Sequence, residues 1–168
     1  VKVVFLDFDG VINRNSGRWL VELVERLNRI TDQTGAKIVV HSSWRADRSV
    51  EELRRVLTTY HYGQPVTGEV YDATPFPVHS MTPAGIWVDD GGWADFKGDI
   101  ESNDERCISI QRWLDAHPGL VTKYVILDDS PDLGHFVGTP AYIQTIQNVG
   151  LTDSHVMRAV YHLNGVTW

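Results

Sequence analysis

The order of apolar runs along the chain predicts an α/β fold, with a mainly parallel sheet and helices on both faces. Four short runs, Val1–Leu6, Lys37–His41, Lys123–Leu127 and Ala141–Ile146, have the length and bulk of strands buried on both sides. Segments with apolar residues at helical spacing separate them, and strands that alternate with helices pair in parallel. A third observation concerns the ends of the runs. Three of them close on paired polar residues: Asp7 and Asp9, Ser42 and Ser43, Asp128 and Asp129.

The helices follow in order. Leu20, Leu23, Val24, Leu27 and Ile30 share one helical face, and Gly35 is placed to stop that helix. The stretch "SVEE", Ser49 to Glu52, is a capping-box signature, followed by Leu53, Val56, Leu57 and Tyr60 on one face. A third helix is expected from about Asp104 to His117, ended by Pro118 and Gly119. A fourth begins near Thr152 and stops at Asn164 and Gly165.

Tyr62 to Asn103 breaks the alternation. It holds four prolines, the adjacent Gly91 and Gly92, and the aromatic residues Tyr71, Phe76, Trp87, Trp93 and Phe96. A structureless loop of this length is unusual in a compact domain. It reads as an inserted substructure with short strands around Gly68–Tyr71 and Ile86–Val88, either a lid or specificity element over the active face or a flap that packs on the core. Trp87 and Trp93 either stack a nucleobase or supply the core of that insertion.

The 168 residues, 42% hydrophobic and 22% charged, suit one domain with a real core, spanning 1–168. No apolar stretch has the length of a membrane span, the start lacks a basic-then-apolar signal pattern, and no membrane partner is expected. Cys107 is the single cysteine, which excludes an internal disulfide and a cysteine-built zinc site and points to a reducing compartment; a cytoplasmic location is the expectation. The net charge of -7 does not favour the nucleic acid backbone over the surface as a whole, though a local basic patch can still bind it.

In a parallel sheet the C-terminal strand ends share one edge, and ligands bind in the crevice outside it. The three polar run ends therefore meet. Asp7, Asp9, Asp128 and Asp129 would form a carboxylate cluster that needs a counter-charge. A hard divalent cation with oxygen ligands supplies one, and magnesium suits a site that also keeps waters and a phosphate. Gly10 would let the backbone turn close to ion and substrate. The seven histidines show no metal-ligand spacing and read as structural or surface groups, and Asp89 and Asp90 before two glycines read as a turn.

These residues resemble the haloacid dehalogenase (HAD) superfamily. "DFDGV" is similar to its first motif, "IVVHS" ending at Ser42 to its second, and "VILDDSPD" to its fourth, while Arg106 best matches the basic third motif. "SSWR", "NVGLT" and "RCISIQRWLDAHPGLVTKYVILDDSPDLG" resemble a small branch described as HAD domains of "Swiss Army Knife" RNA-repair proteins. The resemblance implies a three-layer Rossmann-like fold and a magnesium-dependent phosphomonoesterase. In it Asp7 is the nucleophile, Asp9 the general acid and then base, with its carbonyl on the metal, and Ser42 binds the phosphoryl group. Arg106 balances charge, with Lys97 its rival, and Asp128 and Asp129 hold the metal. Substrate contacts are expected from Gly10, Ser43, Arg45 and Lys97. Arg45 either clamps a second phosphate or nucleic acid backbone, or pairs with Asp47 or Glu51 at the surface. Asn13 is a turn residue or a substrate contact, and Asp132 is expected to orient Arg106 or a water. The implied substrate is a nucleotide or a phosphorylated DNA or RNA end. Two alternatives stand beside hydrolysis: phosphotransfer to an acceptor other than water, and a binding or regulatory module on the same scaffold.

Overall fold

The computed structural model describes residues 1–14, 19–59, 65–75 and 103–166. Its strands are β1 (Lys2–Leu6), β2 (Lys37–Val40), β3 (Val70–Ala73), β4 (Lys123–Asp128) and β5 (Tyr142–Gln144). Its helices are α1 (Val21–Thr34), α2 (Val50–Thr59), α3 (Asn103–Ala116) and α4 (Asp153–Asn164). All strands pair in parallel, in the order β3-β2-β1-β4-β5. The expected α/β fold is the observed one.

Alternation along the strands builds the core. Val4, Leu6, Ile38, Val40, Val125, Leu127 and Ile143 face α1, α2 and α4. Val3, Phe5, Val39, Ile126 and Tyr142 face α3, against Cys107, Ile110 and Trp113. Central β1 carries only Val, Phe and Leu after Lys2 because neither of its faces meets water.

Helix ends follow the local signals. Gly35 closes α1 in the left-handed region (φ 66), with its N–H on Thr31 O. Ser49 and Glu52 form the capping box before α2: Glu52 Oε2 accepts from Ser49 N at 2.8 Å, and Ser49 Oγ from Glu52 N at 3.2 Å. Thr152 caps α4, and His155 Nδ1 accepts the Thr152 N–H in return, so this histidine takes the part a Glu usually plays.

The segment set apart as inserted begins differently from expectation. Val70–Ala73 is a strand, but it extends the main sheet beside β2 rather than a separate substructure. Arg54 Nη2 on Val70 O (2.8 Å) and Trp113 Nε1 on Asp72 Oδ2 (2.6 Å) bind it to α2 and α3. The outer edge of β2 offers unpaired backbone groups that this short strand satisfies. Of the expected lid or specificity segment, Tyr62–Asn103, residues 62–64 and 76–102 lie outside the described residues, and with them the strand around Ile86–Val88, Trp87, Trp93 and Lys97.

The sheet also fixes where chemistry can occur. Each ladder runs one residue past its strands: Asp7 N donates to Leu127 O, His41 N to Leu6 O, Thr74 N to Val40 O and Thr145 N to Asp128 O. Asp7, His41, Thr74, Asp128 and Thr145 therefore stand level along one edge.

Candidate active site

Asp7 and Asp128 follow or end adjacent parallel strands, and both are buried, at 3% and 0% exposure. Asp129 is half-buried beside them. One oxygen from each of Asp7, Asp128 and Asp129 lies within 4.8 Å of the others. Three carboxylates at this spacing repel each other, and burial strengthens the repulsion. Burial, and then the neighbouring Asp7 carboxylate, pushes Asp128 up to about 7. The same two causes, in the same order, raise Asp129.

Arg106 supplies the opposing charge. It sits in the first turn of α3, and its Nη2 donates to Asp128 Oδ2 at 2.6 Å and pairs with Asp7 Oδ2 at 2.9 Å. Among the described residues, Arg106 is thus the cation placed against these acids, while its rival Lys97 lies outside them. One guanidinium does not neutralise three carboxylates. The set consists of hard oxygen donors, with two acids on successive residues, and it fits a divalent cation such as magnesium.

The loops are braced to hold this arrangement. Asp7 Oδ1 accepts the Phe8 N–H at 2.7 Å, and Asp128 Oδ1 accepts the Ser130 N–H at 2.8 Å. The Tyr142 hydroxyl donates to Ser130 O. Gly10 has φ 72, and a Cβ there would lie 2.3 Å from Asp129 Oδ2. Only glycine lets the first acidic loop pass this close to the second acid. Thr145 Oγ1, just after β5, donates to Gly10 O at 2.8 Å, and Leu151 N, in the "NVGLT" stretch, donates to Val11 O at 3.0 Å, so the chain between β5 and α4 braces the loop.

Asp9 stands apart from the three acids. Its carboxylate is not one of the clustered groups; Asn13 Nδ2 donates to its Oδ1 at 2.7 Å and Trp44 Nε1 to its Oδ2 at 3.1 Å. The side chain of Asp9, counted with the metal acids from sequence, is thus held by protein donors outside their cluster. Ser42 is fully buried and its Oγ accepts the Trp44 N–H at 3.4 Å, which starts a 3-10 turn over Ser43–Ala46. Ser43 is exposed at the start of that turn.

Arg45 corrects its expectation. It is 5% exposed, and it donates from Nε to Thr74 O at 3.0 Å and from Nη1 to His41 O and Ser42 O at 2.9 and 2.8 Å. A buried guanidinium needs its donors met, and here main-chain carbonyls take Nε and Nη1, so Arg45 ties the ends of β2 and β3 together. Asp132 Oδ1 accepts the Gly134 N–H at 3.1 Å, which shapes the loop after β4.

His41 is a fully buried histidine whose Nδ1 lies 2.9 Å from Thr74 Oγ1. Burial, and then the Arg45 and Arg106 charges, hold it well below the usual histidine range. Trp44 is the residue that sequence reasoning missed. Its signal was a large aromatic residue with a polar edge, two positions after Ser42 in a turn.

The family described as "HAD domain in Swiss Army Knife RNA repair proteins" matches residues 3–156. No curated protein and no solved structure matches the chain.

Proposed function

The chain belongs to the family of HAD domains in Swiss Army Knife RNA repair proteins, and from that premise we propose that it is a magnesium-dependent phosphomonoesterase working through an aspartyl phosphate. The family supports a phosphatase-type hydrolase in general terms. The observation that carries the finer reading is the grouping of Asp7, Asp128 and Asp129 around one point, with Arg106 across it and Asp9 two residues beyond Asp7.

Asp7 attacks phosphorus, and the bond to the leaving oxygen breaks. Asp9 gives its proton to that oxygen, then takes one from the water that attacks the aspartyl phosphate. Ser42 donates to the phosphoryl oxygens, and Arg106 offsets charge on Asp7 and on the transferring group. Asp7, Asp128, Asp129 and the Asp9 carbonyl would hold the cation, which when bound would neutralise the acids and polarise the phosphoryl group.

The substrate class is a nucleotide or a phosphorylated DNA or RNA end. The family's occurrence in RNA repair proteins supports a strand end, and the net charge of -7 favours a small nucleotide over a long duplex. The test is phosphate release from an aryl phosphate, 5′- and 3′-nucleotides and end-phosphorylated oligonucleotides, with magnesium or chelator, for wild type and Asp7→Asn. Metal-dependent release lost in Asp7→Asn is expected. Release that survives in purified Asp7→Asn removes the proposed nucleophile, and dephosphorylation of the substrate that yields a phosphorylated acceptor in place of free phosphate identifies a phosphotransferase.

A further inference from the structure

The Asp9 carboxylate is held on both oxygens, and the two donors come from different elements. Asn13 lies in the turn after β1, and Trp44 in the 3-10 turn after β2. Trp44 is itself fixed on several sides. Its N–H meets Ser42 Oγ, and its carbonyl accepts from Arg48 Nη1 at 3.1 Å. Its ring packs against Phe8 and Trp19, with centroids at 5.7 and 5.2 Å, and the Arg48 guanidinium lies 5.2 Å from it. Arg45 anchors the same turn to the carbonyls of His41 and Ser42. A ring held this way offers its N–H in one direction only.

We propose that Trp44 is a positioning residue for proton transfer by Asp9, with Asn13 its counterpart on the other oxygen. The inference rests on the phosphatase reading above. As the Asp7–phosphorus bond forms and the bond to the leaving oxygen breaks, the Asp9 proton passes to that oxygen. In the second half water attacks phosphorus, the Asp7–phosphorus bond breaks, and the proton of the water returns to Asp9. The same carboxyl group must therefore face the same point twice. Each oxygen has two acceptor directions, and the Asn13 and Trp44 donors occupy one on each, leaving the other for the travelling proton. Without the indole N–H the carboxyl group rotates more freely, and fewer of its orientations are productive. The "SSWR" stretch thus joins the group that binds phosphate, Ser42, to the group that positions the acid, Trp44.

Trp44→Phe tests this, because it keeps the ring packing and removes only the donor. Protonation by Asp9 matters most when the leaving oxygen is a poor leaving group. The expected result is a loss in kcat/KM of roughly tenfold or more on an alkyl phosphate, against less than about threefold on an aryl phosphate. In an Asp9→Asn background Trp44→Phe is expected to cost less than about twofold on the alkyl phosphate. Asn13→Ser removes the other donor from an independent element and should give the same leaving-group pattern. Equal losses on both substrates, or a full loss in the Asp9→Asn background, would overturn the proposal and leave Trp44 a packing residue. A wild type that hydrolyses both substrates beside an unaltered Trp44→Phe overturns it alone. A folded wild type without metal-dependent release from either substrate removes the phosphatase reading along with it.

Discussion

Gly10 and Asp129 show how little room the site leaves at single residues. Gly10→Ala would place a methyl group 2.3 Å from Asp129 Oδ2 at φ 72, where an L side chain is already strained. The backbone alone costs about 1–2 kcal/mol, and Asp129 must move. The expected outcome is weaker magnesium binding in a titration, with a smaller change in thermal unfolding. Arg106→Met leaves the buried Asp7 and Asp128 without their cation, and breaking such a pair costs about 3–5 kcal/mol. Chemical denaturation without metal should show that loss, and magnesium should restore part of it. The raised Asp128 sets a pH dependence with a definite sign. Between about pH 4 and its value of about 7, the folded chain holds a proton there that the unfolded chain has lost, so this group's contribution to stability falls as pH rises. Metal-free Asp128→Asn, compared with wild type by denaturation, should gain relative stability across that window. Magnesium affinity of the wild type should rise through it, because the cation competes with that proton.

At the scale of elements, side chains tie together the chain ends that leave neighbouring strands. Arg45 is the clearest case. Its guanidinium joins the end of β2 to Thr74 at the end of β3, so Arg45→Met takes a donor from Thr74 O, His41 O and Ser42 O, of which Ser42 O keeps the main-chain N–H of residue 45, a loss of about 2–5 kcal/mol in denaturation. Activity should fall with it, since Ser42 and Trp44 share the turn that Arg45 holds. The sequence could not show this. An arginine followed by Asp47 and Glu51 looks like a surface residue, and only the folding of β3 back beside β2 encloses it. A strand around Gly68–Tyr71 was expected, but not its place in the main sheet, for a related reason: the four residues of β3 carry a tyrosine and an aspartate on a sheet edge, so they lack the unbroken apolar run that marks β1. Where an element's signal is local, the reading held. The Ser49–Glu52 capping box, Gly35 and Gly165 all act at the helix ends they announced.

For the molecule as a whole, one sheet edge gathers groups from distant parts of the chain. The order β3-β2-β1-β4-β5 puts β1 at the centre, so Asp7 has Asp128 on one side and His41 and Ser42 on the other. That convergence was legible because run ends and strand ends coincide in a parallel sheet. The partners of Asp9 were not, because they depend on how the β1 and β2 loops fold over the edge. No described helix is long and apolar enough to cross a membrane. The central claim is that Asp7 becomes covalently phosphorylated, and acid-quenched labelling tests it most directly. Acetyl phosphate carrying a labelled phosphoryl group would be mixed with magnesium and either wild type or Asp7→Asn, then quenched. The expected result is label on the wild-type chain, released by hydroxylamine as an acyl phosphate is, and none on Asp7→Asn. Equal labelling of both proteins, or a wild type that releases phosphate without ever carrying label, would contradict it.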